Sequence, residues 1–232
     1  MVRTRRQFLV AALVVGTGSS FLASCKTNFS AQVPPGQIKS VAIFSELPNR
    51  LSLSYRGLLA LSNKRVHADG DFGFNEIILA DLRKYLSPNY QIIPVTLDRL
   101  VPDKASNEDD QVRQTSTRLR ATAKPGVVDA IILAAPMFGV QGDEALGAVW
   151  GSEGTDGKNT AGVVWILEVF DGRTFERIAY ARVMPSPFVD LGWSGEPYDT
   201  LSDQLKAELH ETLRRSVEDS IPMKLKQCGL MS

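Results

Sequence analysis

Apolar and polar positions along this chain of 232 residues alternate between a period near two and a period near 3.6, and the switches between them predict its elements. Val41-Ala42-Ile43-Phe44 is apolar on both sides, the pattern of a strand buried in the middle of a sheet. Leu51-Ser52-Leu53-Ser54-Tyr55 alternates strictly and predicts a half-buried strand, which the turn Leu47-Pro48-Asn49 pairs with the first as a hairpin. Residues 63 to 73 are polar and read as a loop. Ile78, Leu82 and Tyr85-Leu86 then recur at helical spacing, with Asn75 as N-cap and Pro88 as stop, so a helix is expected from about Phe74 to Ser87. Tyr90 to Leu97 is expected as a third strand, off the sheet centre because of Pro94.

Ser106 to Ala123 is rich in charge, with Val112 and Leu119 one heptad apart and Asp109 four residues before Arg113, which predicts a solvated helix. Ala130 to Ala134 is a second fully apolar strand. Helix followed by buried strand, twice, predicts parallel pairing through crossovers. Met137 to Gly162 holds seven glycines without sustained periodicity and reads as a long loop. Gly162 to Phe170, the turn Asp171-Gly172-Arg173 and Phe175 to Val183 form a hairpin pattern. Thr200 opens a helix with a ridge of Leu201, Leu205, Leu209, Leu213 and Val217, closed by Pro222. The expected fold is α/β (or α+β): one three-layer domain over residues 38–232, with a mixed β-sheet flanked by helices.

The amino-terminal pattern is of another kind. Arg3, Arg5 and Arg6 precede the uncharged run Phe8 to Val15, the layout of a secretory signal peptide. The run is too short to span a bilayer, which needs about 20 apolar residues. Thr4-Arg5-Arg6-Gln7-Phe8-Leu9 resembles the twin-arginine export signal, with Arg5, Arg6, Phe8 and Leu9 at its defining positions. Leu22-Ala23-Ser24-Cys25 is similar to the bacterial lipobox, in which the cysteine sulfur receives a diacylglyceryl group. The resemblance implies a signal over residues 1–24, a mature chain beginning at a lipidated Cys25, and a polar tether to residue 37 that contains Pro34-Pro35-Gly36. Two acyl chains give stable anchoring where one is marginal. By analogy with lipoprotein sorting, Lys26 after the cysteine favours the outer over the inner membrane, with the domain facing the periplasm.

Charge narrows the partners. The whole chain has 26 Lys+Arg against 26 Asp+Glu, and without the signal arginines acids outnumber bases by three. That balance argues against nucleic acid. Of the two cysteines, Cys25 is the acyl site on this resemblance, which leaves Cys228 without a partner inside the chain, either a quiet thiol near the tail, the favoured reading, or an intermolecular link.

Candidate chemistry is sparse. Gly154 to Asn159 fails the phosphate-loop pattern at Ser152 and Asn159. Gly192-Trp193-Ser194-Gly195-Glu196 lacks the last glycine of a nucleophile elbow, and a serine nucleophile would need His67, because His210 sits amid the charges of the last helix. His67, Asp69 and Asp71 form a polar cluster, yet their spacing matches no calcium loop, and a solvated acidic turn is expected. Trp165 lies in an apolar strand and belongs to the core. No cofactor and no metal is expected.

A first strand such as Ser40 to Phe44, and a late hairpin Leu167-Glu168-Val169-Phe170-Asp171-Gly172-Arg173 leading into Ala179 to Val183, resemble bacterial envelope lipoproteins. These have α/β domains like the amino-terminal domain of TolB, the curli secretion lipoprotein and the activators of penicillin-binding proteins. The resemblance implies a protein-binding or assembly role at the envelope, through the loop from Gly139 to Gly162 and the edge of the late hairpin. The competing expectations are a hydrolase of envelope material built on His67 with Asp69 and Asp71, and a lipid-handling accessory protein with an apolar cavity between sheet and helices.

Overall fold

Residues 36–55, 64–69, 72–137, 148–153, 158–182, 189–190 and 198–232 are described in the structure, a computed structural model. The signal and lipobox, and Asp71, lie outside them. The described chain runs β1 (Ser40–Ser45), β2 (Arg50–Tyr55), β3 (Lys64–Asp69), α1 (Phe74–Leu86), β4 (Gln91–Ile92), α2 (Glu108–Thr122), β5 (Ala130–Pro136), β6 (Ala148–Glu153), β7 (Lys158–Val163), β8 (Trp165–Asp171), β9 (Arg177–Ala181), β10 (Val189–Asp190) and α3 (Asp203–Gln227). A 3-10 turn at Tyr198–Thr200 precedes α3.

The strands form two five-stranded sheets, ordered β4-β1-β5-β8-β9 and β10-β7-β6-β2-β3. Four strands of the first sheet are matched, neighbour for neighbour, by four of the second. β1 is parallel to β5 as β2 is to β6, β5 is antiparallel to β8 as β6 is to β7, and β8 is antiparallel to β9 as β7 is to β10. Each matched pair is consecutive in the chain, and β7 passes into β8 through the single residue Val164.

The first sheet is covered on both faces, which makes the fold α/β and three-layered. Val41, Ile132, Trp165, Leu167 and Val169 pack with Ile78 and Leu82 of α1 and with Leu209, Leu213, Val217 and Ile221 of α3. Ala42, Ile131, Leu133, Ile166 and Phe170 face the other way, onto Leu119 of α2 and the loop residues Leu100, Val101 and Phe175. Alternate residues of one fully buried strand thus feed both clusters, the expected result of a two-residue period in a strand covered on both faces.

The parallel pairing of β1 with β4 and β5 agrees with the crossovers read from the sequence. The hairpin of β1 with β2 does not form. Residues 46–49 carry the chain from one sheet to the next, and both flanking layers hold them in that course. From α1, Asn75 Oδ1 accepts from Ser45 Oγ and from Leu47 N, both at 2.8 Å, and its Nδ2 donates to Leu47 O at 3.0 Å. On the α2 side, the Glu46 carboxylate accepts from the backbone N–H of Leu100 and Val101 at 2.8 Å. Asn75 is therefore not the N-cap: that position is Gly73, in the left-handed region at φ 61° with no side-chain cap, and Asn75 is spent on the strand instead.

Residues 64–69 form β3 rather than a loop, paired antiparallel with β2. Their polar sequence hid this because a strand at the end of a sheet lacks the apolar signature of a central one. Likewise the glycine-rich stretch contains β6 and β7, paired with each other. The third expected strand shrinks to Gln91–Ile92; Ile93 still donates to Val41 O, and Pro94 ends the pairing because it has no N–H. α3 starts after Ser202, whose hydroxyl accepts from Leu205 N at 3.3 Å, so Thr200 is not its first residue. It also runs through Pro222 to Gln227, because Ile221, Lys224 and Leu225 are wholly buried and their packing outweighs the lost bond.

The late hairpin closes on a tight contact. A Cβ on Gly172 would lie 1.9 Å from Val128 O, so only glycine lets the turn approach the segment before β5. There Gly172 N donates to Asp129 O, and Gly126 N to Gly172 O. Asp129 Oδ2 in turn accepts from the backbone N–H of Lys39 and Ser40 and from Ser40 Oγ, each at 3.0 Å, which fixes where β1 begins.

Candidate functional site

Where α1 and α3 pack together, their outer edge and the 3-10 turn enclose a surface cleft of about 560 Å³. Its lining is apolar at Phe72, Ile77 and Ala207, polar at Tyr198 and His210, and charged at Lys206, Glu211 and Arg214. The Phe72 ring stacks on Phe74 with centroids 5.3 Å apart, and lies 4.5 Å from the His210 ring. Tyr198 Oη and His210 Nε2 share a hydrogen bond of 2.9 Å, and the Lys206 ammonium sits 5.6 Å from the centre of the Tyr198 ring. Burial lowers the pKa of His210 by disfavouring its charged form. Arg214 bridges Glu211 and Glu218.

An imidazole and a phenol can exchange a proton, but among the described residues no serine, threonine or cysteine lines the cleft. The lining thus combines aromatic rings and apolar side chains with an arginine. The sequence hid this site: His210 sits among charges in α3, and its partners Phe72 and Tyr198 come from segments without periodicity.

The polar cluster read from the sequence has a different setting. His67 and Asp69 lie two apart in β3, opposite Ser52 and Arg50 of β2, and β3 is the last strand of its sheet. Among the described residues no group of three His, Cys, Asp or Glu side chains stands close enough to hold a metal ion. Among them, too, no helix is long and apolar enough to cross a membrane. Cys228 is fully buried and free, and burial pushes its pKa up to about 12, which makes it the unreactive thiol expected. Trp165 is in the core as expected.

Two ionisable side chains lie inside the layers. Glu168, in β8, is fully buried on the α2 face; desolvation raises its pKa to about 7 against the opposing effect of Arg177. Arg177 Nη1 donates to Glu168 Oε1 at 3.1 Å and to Glu108 Oε1 at 2.9 Å, and Arg182 reaches Glu108 at 3.4 Å. Glu168 Oε2, Gln111 Oε1 and Thr115 Oγ1, all buried, have no hydrogen-bond partner. On the opposite face Lys224 is fully buried, and desolvation lowers its pKa to about 7. Glu168 stands within the apolar run of β8, and Lys224 lies beyond Pro222, in the part of α3 that the sequence pattern did not extend to.

No family model and no curated protein matches the chain. Among solved structures, the hypothetical protein CT253 from Chlamydia trachomatis is similar over 81% of this chain and 98% of that one, at 14% identity and a TM-score of 0.32.

Proposed function

We propose that this chain is a membrane-anchored envelope lipoprotein, facing the periplasm and favouring the outer membrane, whose α/β domain acts by binding another envelope protein. The amino-terminal signal and the cysteine at Cys25 support the location. The cleft between α1 and α3 supports the activity: its lining combines aromatic and apolar side chains with charged ones, and holds no serine, threonine or cysteine among the described residues. Its occupant is a partner segment that sets an apolar side chain against Phe72 and Ile77 and a carboxylate near Lys206. β9, the last strand of the first sheet, is a second surface to which an extended segment can add.

The test is photocrosslinking in cells from a probe at Ala207 of the lipidated full chain, compared with the same probe on a Phe72→Ala, His210→Ala background. One discrete protein adduct, lost in the double variant and reduced by Cys25→Ala, is the expected result. Absence of any adduct above the Cys25→Ala control overturns the proposal.

A further inference from the structure

The first sheet ends at β4, and beside that edge a groove of about 730 Å³ opens between the carboxyl half of α1 and residues 92–95. Every residue of its lining is half-buried or exposed, so each is open to a ligand. Gln91 N donates to Lys39 O and Ile93 N to Val41 O. Ile92, between them, therefore turns its own N–H and C=O away from β1, to the open side of the sheet. The register of β1 with β4 ends at Val41 and Ile92, so Ile43, on the same side of β1 as Val41, has no ladder partner there among the described residues and borders the groove. The side chains alternate in the same way: Ile92 packs with the cluster under α1 and α3, and Ile93 and Val95 with the cluster under α2.

The charge beside this edge is one-sided. Of the nine lining residues two, Arg83 and Lys84, are cations and none is an acid. They share one face of α1 with Ala80 and Ser87, at spacings of three and four. Arg83 makes no ion pair among the described residues, and Lys84 lies only against its neighbour, 5.2 Å from the centre of the Tyr85 ring. Asp81, the acid nearest them in the helix, is outside the lining, and the balance stays positive with it counted. Cations and a proline beside a short edge strand ordinarily guard it against pairing with other chains. Here the guard is selective, because it repels a basic strand and attracts an acidic one.

We infer that this edge is a docking site for an extended acidic segment of a partner protein, added to the sheet as a strand beside β4. Its main chain pairs with Ile92, its carboxylates lie on the α1 side toward Arg83 and Lys84, and its alternate apolar side chains lie on the other side toward Ile93 and Val95. The groove shares no lining residue with the α1–α3 cleft, so the two sites are tested apart.

A seven-residue peptide alternating glutamate and valine, blocked at both ends and kept in its monomeric range, is titrated against the full chain by fluorescence anisotropy. Versions with glutamine or lysine in place of glutamate are run beside it. The glutamate peptide is expected to bind at least tenfold tighter than the glutamine peptide, and the lysine peptide not at all. Arg83→Gln combined with Lys84→Gln should remove that preference, and Ala80→Glu should weaken the glutamate peptide by a similar factor. All three positions are exposed, so both variants should unfold at the wild-type midpoint. Phe72→Ala with His210→Ala should leave the peptide bound as before. N-methylation of alternate peptide nitrogens reads the strand pairing: of the two possible sets, one should abolish binding and the other spare it. No binding of the glutamate peptide at millimolar concentration, binding that the double charge variant does not weaken, or binding lost with Phe72 and His210 overturns the inference. Binding lost with both methylated sets, or with neither, overturns the strand pairing.

Discussion

Trp165 stands opposite Pro136 in the β5–β8 ladder, and the carbonyls of both accept hydrogen bonds from side chains that come from opposite layers. Gln111 Nε2 of α2 donates to Pro136 O at 3.1 Å, and Lys224 Nζ of α3 donates to Trp165 O at 2.8 Å. Pro136 has no N–H to contribute, so the pair sits at a weak point of the ladder. The same ammonium lies 4.5 Å from the centre of the Trp165 ring. A buried lysine thus ties the carboxyl-terminal helix to the sheet at the boundary between the two sheets.

That placement has a pH signature. The Lys224 pKa is lowered to about 7, whereas the unfolded chain holds the proton until near 10.5. The unfolded state therefore binds more protons across that window, and stability rises with pH through it, by on the order of 1 kcal/mol per unit. Chemical denaturation from pH 7.5 to 9, below the range where the raised pKa of Cys228 opposes the trend, should show the rise in the wild type and its loss in Lys224→Met.

Glu168 behaves in the opposite sense. Its folded pKa of about 7 exceeds the usual 4.5, so the folded state holds the extra proton and stability falls as pH rises from 4.5 to 7. Glu168→Gln should flatten that fall. Arg177→Met, which removes the cation and leaves the acid buried, should destabilise by about 3 kcal/mol at pH 8 and much less at pH 4.5. Taken together, Lys224 and Glu168 give their least favourable contribution near neutrality.

Gly172→Ala should cost about 2 kcal/mol or more, because the new methyl meets backbone at Val128 and not a yielding side chain. Equilibrium unfolding checks it. Gly126→Ala, with open space around the same atom, is the useful comparison: its cost should come from a φ of 76° and not from a clash.

Asn75→Ala removes three hydrogen bonds to Ser45 and Leu47 and should lower stability by about 2 kcal/mol. Hydrogen exchange should show faster opening at residues 45–49 than in β5. Equal protection would mean that Glu46 alone holds the bend.

The strands and helices that the sequence announced are those whose burial is symmetrical. β1, β5 and β8 read as apolar runs because both of their faces are covered, and α1 as an amphipathic helix because one stripe is. Asn75 misled because its side chain serves a tertiary contact that resembles a cap in local sequence. Residues 64–69 misled because the last strand of a sheet carries little apolar content. Residues 148–153 and 158–163 misled because Gly151 and Gly162 stand inside their strands, and glycine there weakens the strand pattern. Of the cleft, nothing joined Phe72, Tyr198 and His210 before the fold did; they are far apart in the chain and share no period.

The strand-for-strand continuation of one sheet by the other also sets how the molecule carries load. β1 and β2 together span Ser40 to Tyr55, roughly 50 Å if fully extended. Tension applied at the amino terminus enters at Ser40, where Asp129 grips the backbone, and runs along β1 between two parallel neighbours. Such loading shears the ladder bonds together instead of unzipping them in turn, so the first sheet takes the load before it reaches the second.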